Sequence, residues 1–454
     1  MSITSTTGTP LAQQEERVRV DVQDAQRMSW REEAQEIGLN VVLPFLVTRF
    51  VLVVIGLIAI YYVLPLLDPH QPISSHLNQA HGLDKLIGMW ARFDSGFYIG
   101  IAQGGYQNAA SLQGMSNWAF FPLYPLLIRL FAFPFGVSTH NAIIAGLFIS
   151  TIFAIIGAIF FYKLVKKEFN SLVAQRSTLY LLLFPMSFYY SAVYTEGLFI
   201  GLSIACFYFI RQHRWWLAGL LGACAALTRS PGALLVVPMA WECWQVLAER
   251  YAPLRAVNTR REQVLAWLQS RIIGLLRSLN SWHTWFTMVA IALIPTGTLL
   301  FCIYGKIKVG TFLPFVKVEE NGWHRYSSNP ITVVWQAFQH PDAAAPWNWN
   351  FYMLNIIVIV VFWLLLLFML RRLSFTYSIY TLFMLYLPLA SGTIMYVGRL
   401  YMVAFPVYLL LALWSTREKQ TQTSEWRHTL ITCTFTLLLA VFMLMFVIGI
   451  YSIA

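Results

Sequence analysis

Long stretches without charge constrain this chain more than any other feature. From about residue 41 to 67 the only charged side chain is Arg49, and apolar runs recur at roughly 141–162, 174–192, 195–210, 215–229, 231–247, 284–304, 351–370, 374–390, 400–414 and 428–451. A helix crosses the ~30 Å hydrocarbon core of a bilayer with about 20 apolar residues. Charged residues make up 11% of the 454 and AVILMFWYC 58%. Soluble domains carry roughly 25% charged residues, so a water-soluble enzyme is excluded. The expected fold is all-α, a single polytopic membrane bundle of about eleven transmembrane helices rather than a string of soluble domains.

Residues 1–40 read as a polar cytoplasmic segment without the basic n-region or cleavage site of a cleaved signal peptide, and 41–454 as one multi-span catalytic domain. With the N-terminus inside, the inner segments hold most of the 31 basic residues, among them Lys163, Lys166, Lys167, Arg211, Arg214, Arg371 and Arg372. This bias is the positive-inside signature. It also explains the +11 net charge without nucleic acid, because such residues face anionic lipid. Two outer loops, about 68–140 and 305–350, are too long to be plain connectors. The first contains a Pro-interrupted apolar run, 120–135, expected to be re-entrant or to lie on the outer leaflet. The second is rich in Trp and Pro and suits the lipid interface, and the inner loop at about 248–283 reads as an amphipathic surface helix. Cys206, Cys224, Cys243, Cys302 and Cys433 match no metal or redox spacing and read as small buried hydrophobes.

Function turns on which acids lie near the outer ends: Asp68, Asp84, Asp94, Glu196, Glu319, Glu320 and Asp342. Asp94 follows Met89-Trp90-Ala91-Arg92-Phe93 and precedes Ser95-Gly96-Phe97-Tyr98, with Tyr106 closing the run. A carboxylate beside an arginine and under aromatic rings suits proton removal from a sugar hydroxyl. The same residues also fit an interfacial ion pair between Arg92 and Asp94.

The run Arg92-Phe93-Asp94-Ser95-Gly96-Phe97-Tyr98, with Ile101-Ala102 and Gly105-Tyr106 after it, then Ala119-Phe120-Phe121-Pro122-Leu123-Tyr124-Pro125, resembles the first luminal loop of the PIG-V family of mannosyltransferases. Tyr194-Thr195-Glu196-Gly197-Leu198-Phe199, Thr228-Arg229-Ser230-Pro231-Gly232, and Arg399-Leu400-Tyr401 with Phe405-Pro406 are similar to its later motifs and stand in the same order. Two positions depart from the pattern: Phe93 stands for the family's Trp, and Pro231 for its Asn, which removes that side-chain amide.

The resemblance implies a GT-C glycosyltransferase, an inverting hexosyltransferase that moves a mannosyl or related sugar from a polyprenyl- or dolichyl-phosphate donor to a glycolipid or glycan on the non-cytoplasmic face. Carried over residue by residue, Asp94 is the general base. Arg229 and Arg399, together with Arg92, are the expected donor phosphate ligands, with Lys306, Lys308 and Arg325 behind them. Snorkelling at the interface fits Arg229 and Arg399 equally and is the plainer reading of Lys306, Lys308 and Arg325. Glu196, Tyr98, Tyr106 and Tyr124 are expected to support the site or the acceptor, and Glu196 equally fits a polar group satisfied at a span end.

His81, His140, His324 and His340 are dispersed in the outer loops and form no ligand set, so no metal is expected. The expected partners are the lipid-linked donor, the glycolipid or glycan acceptor and membrane lipids. A transporter or flippase of lipid-linked sugars is the rival class, but it favours paired repeats and midplane charges, and neither is evident. A membrane O-acyltransferase would want a buried His inside a span, and none of the nine histidines sits centrally in one. The short tails favour a bacterial plasma membrane over the endoplasmic reticulum.

Overall fold

The computed structural model describes residues 30–66, 82–253, 260–339, 349–416 and 422–450. Most of the 1–40 segment lies outside them, as do Asp68, His81, His340 and Asp342. All regular structure among the described residues is helical. In chain order the helices are α1 (Trp30–Leu66), α2 (Leu83–Gly88), α3 (Ser95–Gly104), α4 (Leu123–Ala132), α5 (Thr139–Glu168), α6 (Ser171–Leu183), α7 (Glu196–Arg211), α8 (Trp215–Thr228) and α9 (Val236–Tyr251). There follow α10 (Arg260–Ser278), α11 (Trp282–Val309), α12 (Pro314–Gly322), α13 (Pro330–Gln339), α14 (Trp349–Arg372), α15 (Phe375–Ala390), α16 (Val397–Tyr401), α17 (Pro406–Ser415) and α18 (Gln422–Ile448).

Among the described residues, five helices are long and apolar enough to cross a bilayer: α1, α5, α11, and the apolar stretches of α14 and α18. The remaining expected spans differ in kind. Helices α6, α7, α8, α9, α15 and α17 have 10 to 16 residues. At 1.5 Å per residue they measure about 15–24 Å, short of a lone crossing. They are enclosed by protein instead. Helix α7 is buried over almost its whole length and meets α5 backbone to backbone. A Cβ on Gly201 would lie 2.3 Å from the Phe153 carbonyl oxygen, so only glycine permits this approach.

The breaks between short helices have local causes. Pro185 follows Phe184 and disfavours a helical conformation there, so α6 stops with Phe184 extended at ψ 138°. Residues 184–195 then run buried through turns and one short 3-10 helix, Ser187–Tyr190. Arg49 of α1 holds the start of this break, with Nη1 donating to the Ser187 carbonyl at 2.7 Å and Nη2 to the Leu182 carbonyl at 3.3 Å. The one charge inside the first apolar run thus satisfies backbone carbonyls freed by the broken helix, as intramembrane cations tend to do. Helix α8 ends where Arg229 turns extended, and α15 ends in a turn at Gly392, φ 83°.

These breaks collect at one end of the bundle, while a different polar cluster marks the other. There Arg211 bonds both Glu168 and Glu242, Tyr377 donates to Glu168, and Thr376 donates to Glu242. Glu196 and Arg211 bound the same helix, so about 22 Å separates the two clusters. Helix α4 is too short to span; it buries Tyr124, Ile128 and Ala132 and exposes Leu126, Leu130 and Phe131, as expected of a surface-lying segment. Helix α10 occupies the expected inner-loop position and exposes Leu268, Ile272 and Leu276.

Candidate active site

Asp94 is presented by a strained turn. Phe93 before it adopts φ 51°, a left-handed conformation that costs a non-glycine residue about 1 kcal/mol or more. Tyr194, on the buried break before α7, holds that turn from both sides: its hydroxyl donates to the Arg92 carbonyl at 3.0 Å and accepts from the Asp94 amide at 3.2 Å. The Asp94 carboxylate makes no capping bond to α3. It points to Arg399 instead, whose Nη1 donates to Asp94 Oδ2 at 2.8 Å.

Arg399 continues the chain of charges inward. Its Nε donates to Glu196 Oε1 at 2.7 Å, and Arg229 Nη1 donates to the same oxygen at 2.5 Å. Two carboxylates and two guanidiniums therefore alternate in the order Asp94, Arg399, Glu196, Arg229. Glu196 is fully buried, Arg399 is 8% exposed, and the two ends are more open at 26% for Asp94 and 17% for Arg229. Burying charge in this way is tolerable only when every ion has a partner, and the alternation supplies one. The Arg399 guanidinium also lies over the rings of Tyr194, at 4.5 Å, and Tyr189, at 5.1 Å. Those cation–π contacts leave the arginine a single orientation.

A cavity of about 470 Å³ opens beside this chain, and Asp94, Tyr98, Arg229 and Arg399 all line it. Glu196 stands behind the wall and reaches the cavity only through its two arginines. Of the other expected site residues, Arg325 lines the cavity, and Arg92, Tyr106 and Tyr124 do not. Arg92 is buried outside the lining, with its guanidinium over the Phe93 ring. Tyr106 donates to the Phe120 carbonyl at 2.7 Å and stacks in a small aromatic cluster with Trp118. Tyr124 is fully buried and bonds the Gly146 carbonyl and Ser150. Both tyrosines brace the wall from behind; the aromatic neighbourhood was legible in the motif, but not which ring would face inward.

A further part of the wall comes from the second long loop. Helix α12 and the turn after it contribute Glu319, Glu320, Trp323, Arg325 and Tyr326, and the 391–400 segment adds Tyr396. Glu319 bonds Arg325 at 3.1 Å. Burial pushes its carboxyl above the ordinary carboxylate range; Arg325 pulls it down, and the negative charge of Asp94 pushes it up. The sequence placed Glu319 and Glu320 among the outer acids without a role, and the Trp- and Pro-rich composition of their loop was the signal that it does more than connect. Lys306 donates to the Gly310 carbonyl at a helix end and does not line the cavity, and neither does Lys308. Among the described residues no group of three or more His, Cys, Asp or Glu is assembled to hold a metal.

Chemically, one cavity offers a carboxylate able to accept a proton, two guanidiniums able to hold an oxyanion, and aromatic walls. Among solved structures, ArnT from Cupriavidus metallidurans bound to undecaprenyl phosphate aligns with 13% identity, a TM-score of 0.42, and coverage of 79% of this chain and 70% of that one. The archaeal oligosaccharyltransferase AglB from Archaeoglobus fulgidus, in complex with an inhibitory peptide and a dolichol-phosphate, aligns with 11% identity and a TM-score of 0.37, covering 90% of this chain and 56% of that one. No curated protein matches the chain. A sequence model of the PIG-V mannosyltransferases matches residues 40–302, more than half of the chain and the part that carries Asp94, Glu196 and Arg229. The chain is therefore a glycosyltransferase that belongs to the PIG-V mannosyltransferase family.

Proposed function

We propose that the protein transfers a mannosyl residue, with inversion, from a polyprenyl-phosphate donor to a hydroxyl of a glycolipid or glycan on the non-cytoplasmic face. The observation that carries this reading is the shared cavity of Asp94, Arg229 and Arg399, joined by one chain of ion pairs. Asp94 accepts the proton of the acceptor hydroxyl as that oxygen attacks the anomeric carbon. The bond from that carbon to the phosphate oxygen breaks with its electrons, and the lipid phosphate gains a negative charge. Arg229 and Arg399 balance that added charge, and the water-poor surroundings strengthen the interaction. Glu196 orients both guanidiniums without touching substrate. Arg92 drops out of the phosphate set because its side chain lies outside the cavity lining.

The non-cytoplasmic reading is supported by the basic residues gathered at the far end, Lys163, Lys166, Lys167 and Arg211 among them, since basic residues favour the cytoplasmic side. The test uses purified protein in detergent with radiolabelled polyprenyl-phosphate-mannose and octyl glycosides as acceptors. Asp94→Asn should cut transfer by about 100-fold or more, with an unchanged thermal midpoint. Full activity in that variant refutes the base assignment.

A further inference from the structure

We infer that Glu319 and Trp323 form the part of the site that selects the acceptor, and that they hold an uncharged, hydroxyl-bearing sugar ring in the cavity that Asp94 also lines. The inference rests on the glycosyl-transfer reading above and adds to it the chemical class of the acceptor group. Its first support is that α12 is built in, not draped over the opening. Val318 is fully buried in an aromatic cluster with Trp118, Phe121 and Phe301. Asn321 Nδ2 donates to the Leu112 carbonyl at 2.9 Å, and a Cβ on Gly322 would lie 2.7 Å from the Gly114 carbonyl oxygen. On the other side, Ser328 donates its amide to the Ala390 carbonyl at 3.0 Å, and Arg325 lies over the Tyr396 ring at 5.9 Å. The loop is thereby tied to both segments that deliver Asp94 and Arg399, so its polar face is set before substrate arrives.

The second support is the pairing of chemistries on that face. The Trp323 ring packs at 5.9 Å from Phe97 and 6.0 Å from Phe120, which makes an aromatic surface along the wall where Glu319 also opens. An aromatic face takes the C–H side of a pyranose, and a carboxylate accepts from its hydroxyls. The third support is charge. The loop carries Glu319 and Glu320 against one Arg325, whereas Arg229 and Arg399 are matched in number by Asp94 and Glu196. A lipid phosphate beside the loop meets a net negative charge, and beside Arg229 and Arg399 it meets guanidinium donors, so the acceptor group next to Glu319 is the uncharged one.

The test measures transfer from polyprenyl-phosphate-mannose to octyl mannoside, octyl glucoside and the anionic octyl glucuronide, by the full chain in detergent. The unmodified protein should use at least one neutral glycoside and discriminate against the glucuronide. Glu319→Gln and Trp323→Ala should each raise the neutral acceptor's KM by about tenfold with the donor KM unchanged, and Glu319→Gln should narrow the discrimination against glucuronide. Trp323→Phe, which keeps a ring, should recover most of the loss. Unchanged acceptor KM in both variants overturns the inference, as does preference for the glucuronide or use of none of the probes while polyprenyl phosphate is still released. A rise in KM that tracks a fall in thermal midpoint and is not rescued by Trp323→Phe also overturns it. If the unmodified protein releases no polyprenyl phosphate at all, it is the glycosyl-transfer reading that fails.

Discussion

Arg399 donates to Asp94 Oδ2 at 2.8 Å across 305 positions of sequence, and with its Nε it grips Glu196 at 2.7 Å. A single planar guanidinium thus sets the distance between the carboxylate that opens on the cavity and the one buried behind it. The fork geometry explains why arginine stands here, since a lysine ammonium is a point charge that cannot present two fixed donors at once.

Arg399→Lys is accordingly expected to keep the charge and lose the geometry. Transfer should fall about 100-fold, and the thermal midpoint should drop by several degrees because Glu196 is left with a poorer partner. Turnover and a melting curve on the same preparation check both parts, and full activity in the lysine variant would sink the role given to the fork.

Tyr194 anchors the backbone on either side of the strained Phe93, through the Arg92 carbonyl and the Asp94 amide. Tyr194→Phe keeps the ring under Arg399 and removes only the hydroxyl. The expected cost is about 1–3 kcal/mol in holding the turn, read as a fall of roughly tenfold in kcat with little change in donor KM. A change confined to donor KM would show that the hydroxyl serves binding and not the placement of Asp94.

Arg49 predicts a stability effect remote from chemistry. Arg49→Met removes the side-chain donor to the Ser187 carbonyl, while the Leu182 carbonyl keeps the Ser187 hydroxyl at 2.6 Å. We expect a loss of about 2–4 kcal/mol, measured as a lower midpoint of heat-induced aggregation in detergent, and a shorter-lived preparation with unaltered substrate KM. A midpoint equal to that of the unmodified protein would remove Arg49 from the support of the broken helix.

Glu319 gives a pH signature. Its carboxyl is raised in the folded protein by burial and by Asp94, despite Arg325. A raised carboxyl binds its proton more tightly folded than unfolded, so its contribution is favourable at low pH. That contribution is lost as pH climbs from the ordinary carboxylate value through the folded one. The unmodified protein should therefore lose midpoint relative to Glu319→Gln over that interval and run parallel to it above. Midpoints measured from pH 4 to 8 on both proteins decide it; parallel curves throughout would contradict the shift.

How much of this was legible without coordinates varies by residue. The motif around Asp94 singled out the carboxylate, and the later motifs singled out Glu196, Arg229 and Arg399, all of which meet in one ion-pair chain. Arg92 and Asp94 are neighbours in sequence, yet the partner the structure provides for Asp94 is Arg399, from a segment hundreds of residues away. Tyr106 and Tyr124 looked as suited to a sugar as Tyr98, but only Tyr98 lines the cavity. Which side of a short helix or turn faces inward depends on the neighbours it packs against, and those are not adjacent in sequence.

The sequence by itself determined the solvent, the helical class and the glycosyltransferase family. Apolar runs leave no alternative to a bundle in lipid, since every backbone polar group there must find a partner within the protein. The charge bias supports the proposed orientation, and short local motifs mark the candidate groups because their chemistry depends on residue type. Only the tertiary structure decided that the expected spans include short helices broken at 184–195, 229–235 and 391–405, and that those breaks converge on one cavity. Hydropathy averages over about 20 residues and does not distinguish a helix that faces lipid from one sheathed by protein. It is that sheathing which allows irregular backbone, four paired charges and the Glu319 wall to share one buried place.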